Sequence, residues 1–286
     1  MLYLITASLV WGFSFGLIGN TLTGLPIAWV AAARLLLAAL LFLPFVKLLR
    51  FKTAARLFLI GAIQFGVMYL AYMRSFQTLK SHEVALFTIF TPIYVAIIND
   101  IQHAKFTPRN LLPASLAAAG SAVILWNQGS RIESLAGFGF VQLSGICFAL
   151  GQLLYCRTFV KHRAELHSKT DKNVFAWLYL GGFAVLLPLA VSDMLHKMPW
   201  PDLKQTLTII YLGVIASGIA FFLWNRGARK VSAARLAVMN NLKIPAAVLI
   251  SLLVFRERSN PFVLLSGATL IGLAIYMTTT AGARKT

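Results

Sequence analysis

Acidic residues are scarce in this chain of 286 residues: there are 8 Asp and Glu against 26 Lys and Arg. The acids are Glu83, Asp100, Glu133, Glu165, Asp171, Asp193, Asp202 and Glu257, and each falls in a polar segment or at the edge of an apolar run. The five histidines, His82, His103, His162, His167 and His196, are placed likewise. An enzyme buried in a membrane needs Asp, His, Ser or Cys gathered at one depth. A cation exporter needs a carboxylate inside the membrane. The sequence offers neither. Cysteine is scarcer still: Cys147 and Cys156 share one apolar run, which gives no disulfide framework and no metal site. Charged residues make up only 12% of the chain, about half the share in a soluble domain. The longest polar loop, near 157–173, is too short to be a soluble receptor or scaffold domain.

What is present is apolar. Hydrophobic residues account for 59% of the chain, and mean hydropathy is +0.78. Ten runs stand out: 2–19, 26–46, 54–73, 84–99, 110–126, 137–155, 174–192, 206–224, 233–254 and 261–279. A helix needs about 20 apolar residues to cross a bilayer, with some tolerance for tilt. Backbone groups in lipid must pair within their own segment, and these runs lack the alternation of membrane strands. The expected fold is therefore an all-α membrane protein with ten transmembrane helices, in which residues 1–286 form a single transmembrane domain. Residues 2–19 have no basic leading segment and no small-residue cleavage site before Trp11-Gly12, so they read as a retained span rather than a signal peptide.

The basic residues give an orientation. With the N-terminus inside, the inner segments hold the clusters at 47–56, 105–109, 157–172, 226–230 and 284–285. These outnumber the outer Arg74, Lys80, Arg131, Lys197, Lys204, Arg256 and Arg258 by more than two to one. The bias places both termini in the cytoplasm of a cell inner (plasma) membrane. Trp126 and Trp200 then fall at the outer boundary, where indole rings are favoured.

A repeat runs through the chain. A shift of 152 residues lays Gly61 and Gly66 on Gly213 and Gly218, Arg74 on Arg226, and Ser115 and Gly120 on Gly267 and Gly272. One further residue of offset brings Pro92 onto Pro245. Five helices per unit is an odd number, so residues 1–126 and 137–279 are expected to form two inverted five-helix repeats with a site near the midplane between them.

The second half also carries a recognisable pattern. The stretch IYLGVIASGIAFFLW over 210–224 resembles the eighth helix of the drug/metabolite transporter superfamily, EamA type. LVFRER over 253–258, followed by Gly267 and Gly272, is similar to the family's glutamate-bearing turn and last helix. Trp11-Gly12 and Arg34-Leu35-Leu36 match its first two helices. The resemblance implies a ten-helix basket with a central cavity, alternating access and no cofactor. Members move amino acids, carboxylates, amines or nucleotide derivatives, often outward. The chain departs from the pattern in one place: Glu257 stands in the second-half turn, while the first-half counterpart, 99–105, has no glutamate.

Candidate site residues follow from depth. Lys243 sits in the middle of the ninth run, where an ionisable group costs about 2.5–3.5 kcal/mol to insert. Asn240 shares its helical face, and Pro245 removes a backbone donor two residues on, so an open helix is expected there. A lysine tied to backbone carbonyls for packing is the alternative. Arg34 lies within the second run, where its fork suits a carboxylate or braces a neighbouring helix. Trp11 and Ser14, Tyr69 and Tyr72, and Gln152 and Tyr155 are turn-spaced pairs that either line a cavity or bond between helices. Pro92 and Pro245 are hinge candidates, or tolerated kinks. Cations without an acid favour an anionic or zwitterionic small molecule, with no metal and no nucleic acid. The expected function is a secondary transporter, exporter or facilitator, of amino acids or related small carboxylates. The competing readings are an exporter of amines or hydrophobic drugs and a membrane-embedded enzyme.

Overall fold

The computed structural model describes residues 1–79, 84, 87–104, 108–126, 134–166, 170–196, 199–244 and 261–283. Its elements, in order, are α1 (Leu2–Thr21), α2 (Ile27–Phe42, continued by a 3-10 turn Leu43–Phe45), α3 (Phe51–Ser75), α4 (Thr91–Gln102), α5 (Pro108–Trp126), α6 (Leu135–Lys161), α7 (Phe175–Leu195), α8 (Leu203–Ala228), α9 (Ala233–Met239) and α10 (Pro261–Ala283). The described residues contain no strand. Ile27–Phe45, Phe51–Ser75, Leu135–Lys161, Phe175–Leu195 and Leu203–Ala228 are long and apolar enough to cross a membrane. Shorter apolar helical stretches occupy Leu2–Ser14, Leu111–Gly120 and Thr269–Thr278.

Polar residues mark several helix ends. Asp202 and Gln205 cap α8 reciprocally: the Gln205 N–H donates to the Asp202 carboxylate at 2.7 Å, and the Asp202 N–H donates to the Gln205 side chain at 3.0 Å. Ser134 accepts from the Gly137 N–H at 3.0 Å and starts α6. Asp193 at the end of α7 accepts from the Trp29 N–H at 3.1 Å, so its charge meets the positive end of α2.

Two helices widen inside the bundle. Ala62–Val67 of α3 and Tyr211–Ile219 of α8 are π-helical. The 152-residue shift lays 62–67 onto 214–219, inside the second π segment. A π turn leaves carbonyls without their usual partners, and side chains of other helices take them up. The Trp11 indole donates to the Ala216 carbonyl at 3.0 Å, and the Tyr179 hydroxyl lies 2.5 and 2.9 Å from those of Ser217 and Gly218.

Two more helices are interrupted. A 3-10 turn, Thr88–Phe90, precedes α4, and Pro92 sits in the first turn of α4, where its missing N–H breaks no bond. After α9 the chain turns at 240–242, and helical geometry resumes at Lys243. The helix is thus interrupted just before Lys243, but the N–H groups of Asn240, Asn241, Leu242 and Ile244 keep backbone partners three or four residues back, so the segment is a hydrogen-bonded turn; Pro245, expected to open it, lies outside the described residues. The two breaks again differ by 152 residues, and they touch: the Asn241 amide donates to the Ile89 carbonyl at 3.0 Å. The expected runs 84–99 and 233–254 are therefore broken rather than continuous, and 137–155 and 206–224 are each part of a longer helix.

Helix contacts come in matched sets. α3 packs on α7, and α8 packs on α2. α3 packs on α6, and α8 packs on α1. α2 meets α7, α4 meets α9, and α5 meets α10. At the α3–α7 crossing a β-carbon on Gly61 would overlap the Leu178 carbonyl, and one on Gly181 that of Phe58. Only glycine allows the two backbones this close.

Candidate functional site

A cavity of about 80 Å³ opens among α1, α2, α3, α4, α6, α8 and the residue that follows the break in α9. Trp11, Ser14, Arg34, Tyr69, Tyr72 and Lys243, all read from the sequence as site residues, line it together.

Arg34 is 3% exposed and held from two helices. Its Nη2 donates to the Tyr69 hydroxyl at 3.2 Å and its Nε to the Ser217 hydroxyl at 3.3 Å, while those two hydroxyls lie 2.8 Å apart. The guanidinium carbon stands 4.6 Å from the centre of the Tyr69 ring, close enough for a cation–π contact. Arg34 thus braces α2 against α3 and α8 and also faces the cavity. Lys243, 8% exposed, also lines the cavity, with its Nζ 6.0 Å from the centre of the Phe148 ring.

Among the described residues no acid lines the cavity. Among the described residues the ion pair is Arg229–Asp171 at 2.7 Å, at the far end of α8. Asp171 there also accepts from the Tyr155 hydroxyl at 2.6 Å. Glu165 accepts from the Arg50 N–H and the Thr53 hydroxyl, both at 2.6 Å. The cavity's positive charge therefore has no counter-charge among the described residues. Its walls are aromatic: Trp11 lies 5.7 Å from Phe148 and 4.6 Å from Phe221, centre to centre.

Three expected site residues do not line this cavity. Tyr155 belongs to the Asp171–Arg229 cluster. Gln152 accepts from the Trp224 indole at 2.7 Å, and Asn240 donates to the Leu236 carbonyl at 2.8 Å. Sequence reasoning missed Thr88, Thr91, Ser144, Phe148 and Phe221. The 152-residue shift held a signal for two of them, because it pairs Thr91 with Lys243 and Phe221 with Tyr69.

Apolar helices around an aromatic-walled cavity that holds two cations, with two of them broken beside it, form the architecture of a membrane transporter. The profile of the EamA-like transporter family matches residues 1–126 and again 143–280. The chain belongs to this family, which makes it a transporter of the drug/metabolite type rather than an enzyme. It is 36% identical over 277 residues to a Pseudomonas aeruginosa protein named "Probable biotin transporter", covering 95% of each chain. It is 35% identical over 282 residues to the "Biotin transporter" of Escherichia coli (strain K12), covering 97% of this chain and 92% of that one. A solved crystal structure superposes with a TM-score of 0.77 at 16% identity, covering 98% and 96% of the two chains, a likeness of fold alone.

Proposed function

We propose that the chain carries biotin, or a solute built like it, across a membrane by alternating access. The observation that carries this reading is the cavity with two cations, aromatic walls and, among the described residues, no acid lining it. Biotin is a carboxylate joined by an apolar chain to a compact ring. Its carboxylate suits Lys243, whose ammonium has no ion pair among the described residues. Trp11, Phe148 and Phe221 offer the ring a rigid apolar surface. Arg34, tied to Tyr69 and Ser217, maintains the positive potential, and Ser14 and Tyr72 supply polar contacts. An amino acid would also bring a carboxylate, but its ammonium would meet two cations and no acid. Amines face the same obstacle. The names of the relatives favour biotin over amino acids as well.

The architecture that goes with this reading is ten transmembrane helices in two inverted halves, 1–126 and 137–279, with both termini cytoplasmic in an inner membrane. It is supported by the matched helix contacts, the paired π segments and breaks, and the double match of the family profile. Pro92, at the junction above α4, is the hinge candidate within the described residues.

Uptake of labelled biotin into proteoliposomes tests the reading. We expect saturable uptake, suppressed by unlabelled biotin and left unchanged by amino acids or amines. Uptake no faster than in empty liposomes, or equal competition by amines, would refute it.

A further inference from the structure

A second cavity, of about 680 Å³, lies along α4, α6, α8 and α9. Asn99, Cys156, Arg157, Ala228 and Leu236 are among its lining residues. The two cavities are stacked in register. On α8 the order is Phe221 in the first cavity, then Trp224, then Ala228 in the second. On α6 it is Phe148, Gln152 and Cys156; on α4 it is Thr91, Val95 and Asn99. On the α9 segment it is Lys243, Asn240 and Leu236. Steps of three or four residues stay on one helical face, so α4, α6 and α8 each present the same face to both cavities, while the α9 segment reaches both across its turn at 240–242. The middle residues Val95, Gln152, Trp224 and Asn240 are at most 1% exposed. They form a partition about two turns deep from cavity to cavity, roughly 11 Å at 5.4 Å per turn.

The partition contains two orphaned polar atoms. The Trp224 indole can only donate, so the atom it meets at 2.7 Å must be the Gln152 oxygen, which leaves the Gln152 Nε2 without a partner. The Leu236 carbonyl can only accept, so it holds the Asn240 amide nitrogen at 2.8 Å and leaves the Asn240 Oδ1 without a partner. The partition thus holds one unused buried donor and one unused buried acceptor, out of six such atoms among the described residues. Lys243 and the Phe148 ring, 6.0 Å apart, bring the α6 and α9 faces together one turn away. Buried polar groups are nearly always bonded, so a pair left open calls for an occupant.

We propose that this partition is a second contact site for the solute, occupied in transit. The Gln152 Nε2 receives the carbonyl of a urea-type ring, and the Asn240 Oδ1 receives one of its N–H groups, as the solute passes from the first cavity to the second. The inference rests on the biotin reading, since biotin's ring carries both groups. It gives Gln152 and Asn240 a role in movement rather than in initial binding.

The test uses the full chain in proteoliposomes with labelled biotin. Trp224→Phe/Gln152→Leu replaces both partners of one hydrogen bond with apolar groups and so creates no new orphan; Asn240→Leu removes the acceptor. For both variants we expect a Kd for biotin within about threefold of wild type and a maximal transport rate reduced by about tenfold or more. Wild-type rates in both would overturn the proposal, because the partition would then be packing alone. A parallel loss of affinity and rate would also overturn it. A wild-type protein that binds no biotin would instead refute the substrate reading and remove the ring contact with it.

Discussion

At the scale of single residues, Lys243 is decisive. Lys243→Met keeps the apolar stem and removes the charge. A hydrogen bond to a charged group is worth about 1.5–3 kcal/mol, so the Kd for biotin should rise roughly ten- to a hundredfold. Thermal stability should stay near wild type. Lys243→Arg keeps the charge but changes its geometry, and partial transport is expected. Arg34 behaves differently. Arg34→Lys cannot bond Tyr69 and Ser217 from one planar group, so the melting temperature in detergent should fall together with biotin binding. An Arg34→Lys variant that melts like wild type would remove the bracing role. Lys243 and Arg34 were legible in the sequence because charge in an apolar run is conspicuous. Phe148 and Phe221 were not, since one phenylalanine among many apolar neighbours carries no mark of the face it occupies.

Among the elements, the crossing of α3 and α7 depends on glycine. Gly61→Ala would push a methyl group into the Leu178 backbone, and overpacking of this kind costs about 1–3 kcal/mol. Gly139→Ala, with nothing within 4 Å of the new carbon, is the control. The first variant should lower the melting temperature and the second should leave it unchanged; equal melting would mean that the helices separate without cost. Hydropathy revealed that these segments were helices and roughly where they ran. It could not reveal the π segments or the break at Thr88–Phe90, because an apolar run says nothing about which carbonyl each N–H chooses. The glycine spacing came closest, since Gly61, Gly66, Gly213 and Gly218 flank or fall within the widened turns.

For the whole molecule, orientation is the first prediction. Cysteines introduced after Lys172 and after Trp200 should be labelled from opposite faces of the membrane, the first from the cytoplasmic side. Labelling of both from one face would remove the proposed topology. The 152-residue shift supports the proposed pair of inverted halves. The Asn241–Ile89 bond, the paired breaks and the matched helix contacts all follow its spacing.

A cavity lined by two cations and, among the described residues, by no acid also has an electrical consequence. If the solute enters as an anion and no cation travels with it, each turnover moves one negative charge across the membrane. An interior 100 mV negative opposes that movement by about 2.3 kcal/mol, roughly fiftyfold in the concentration ratio at equilibrium. Inward movement then depends on consumption of the solute inside, while outward movement is driven by the voltage itself. Clamping proteoliposomes at an inside-positive potential with potassium and valinomycin should therefore raise the final level of biotin taken up. A level that ignores the imposed voltage would mean that a cation crosses with every anion.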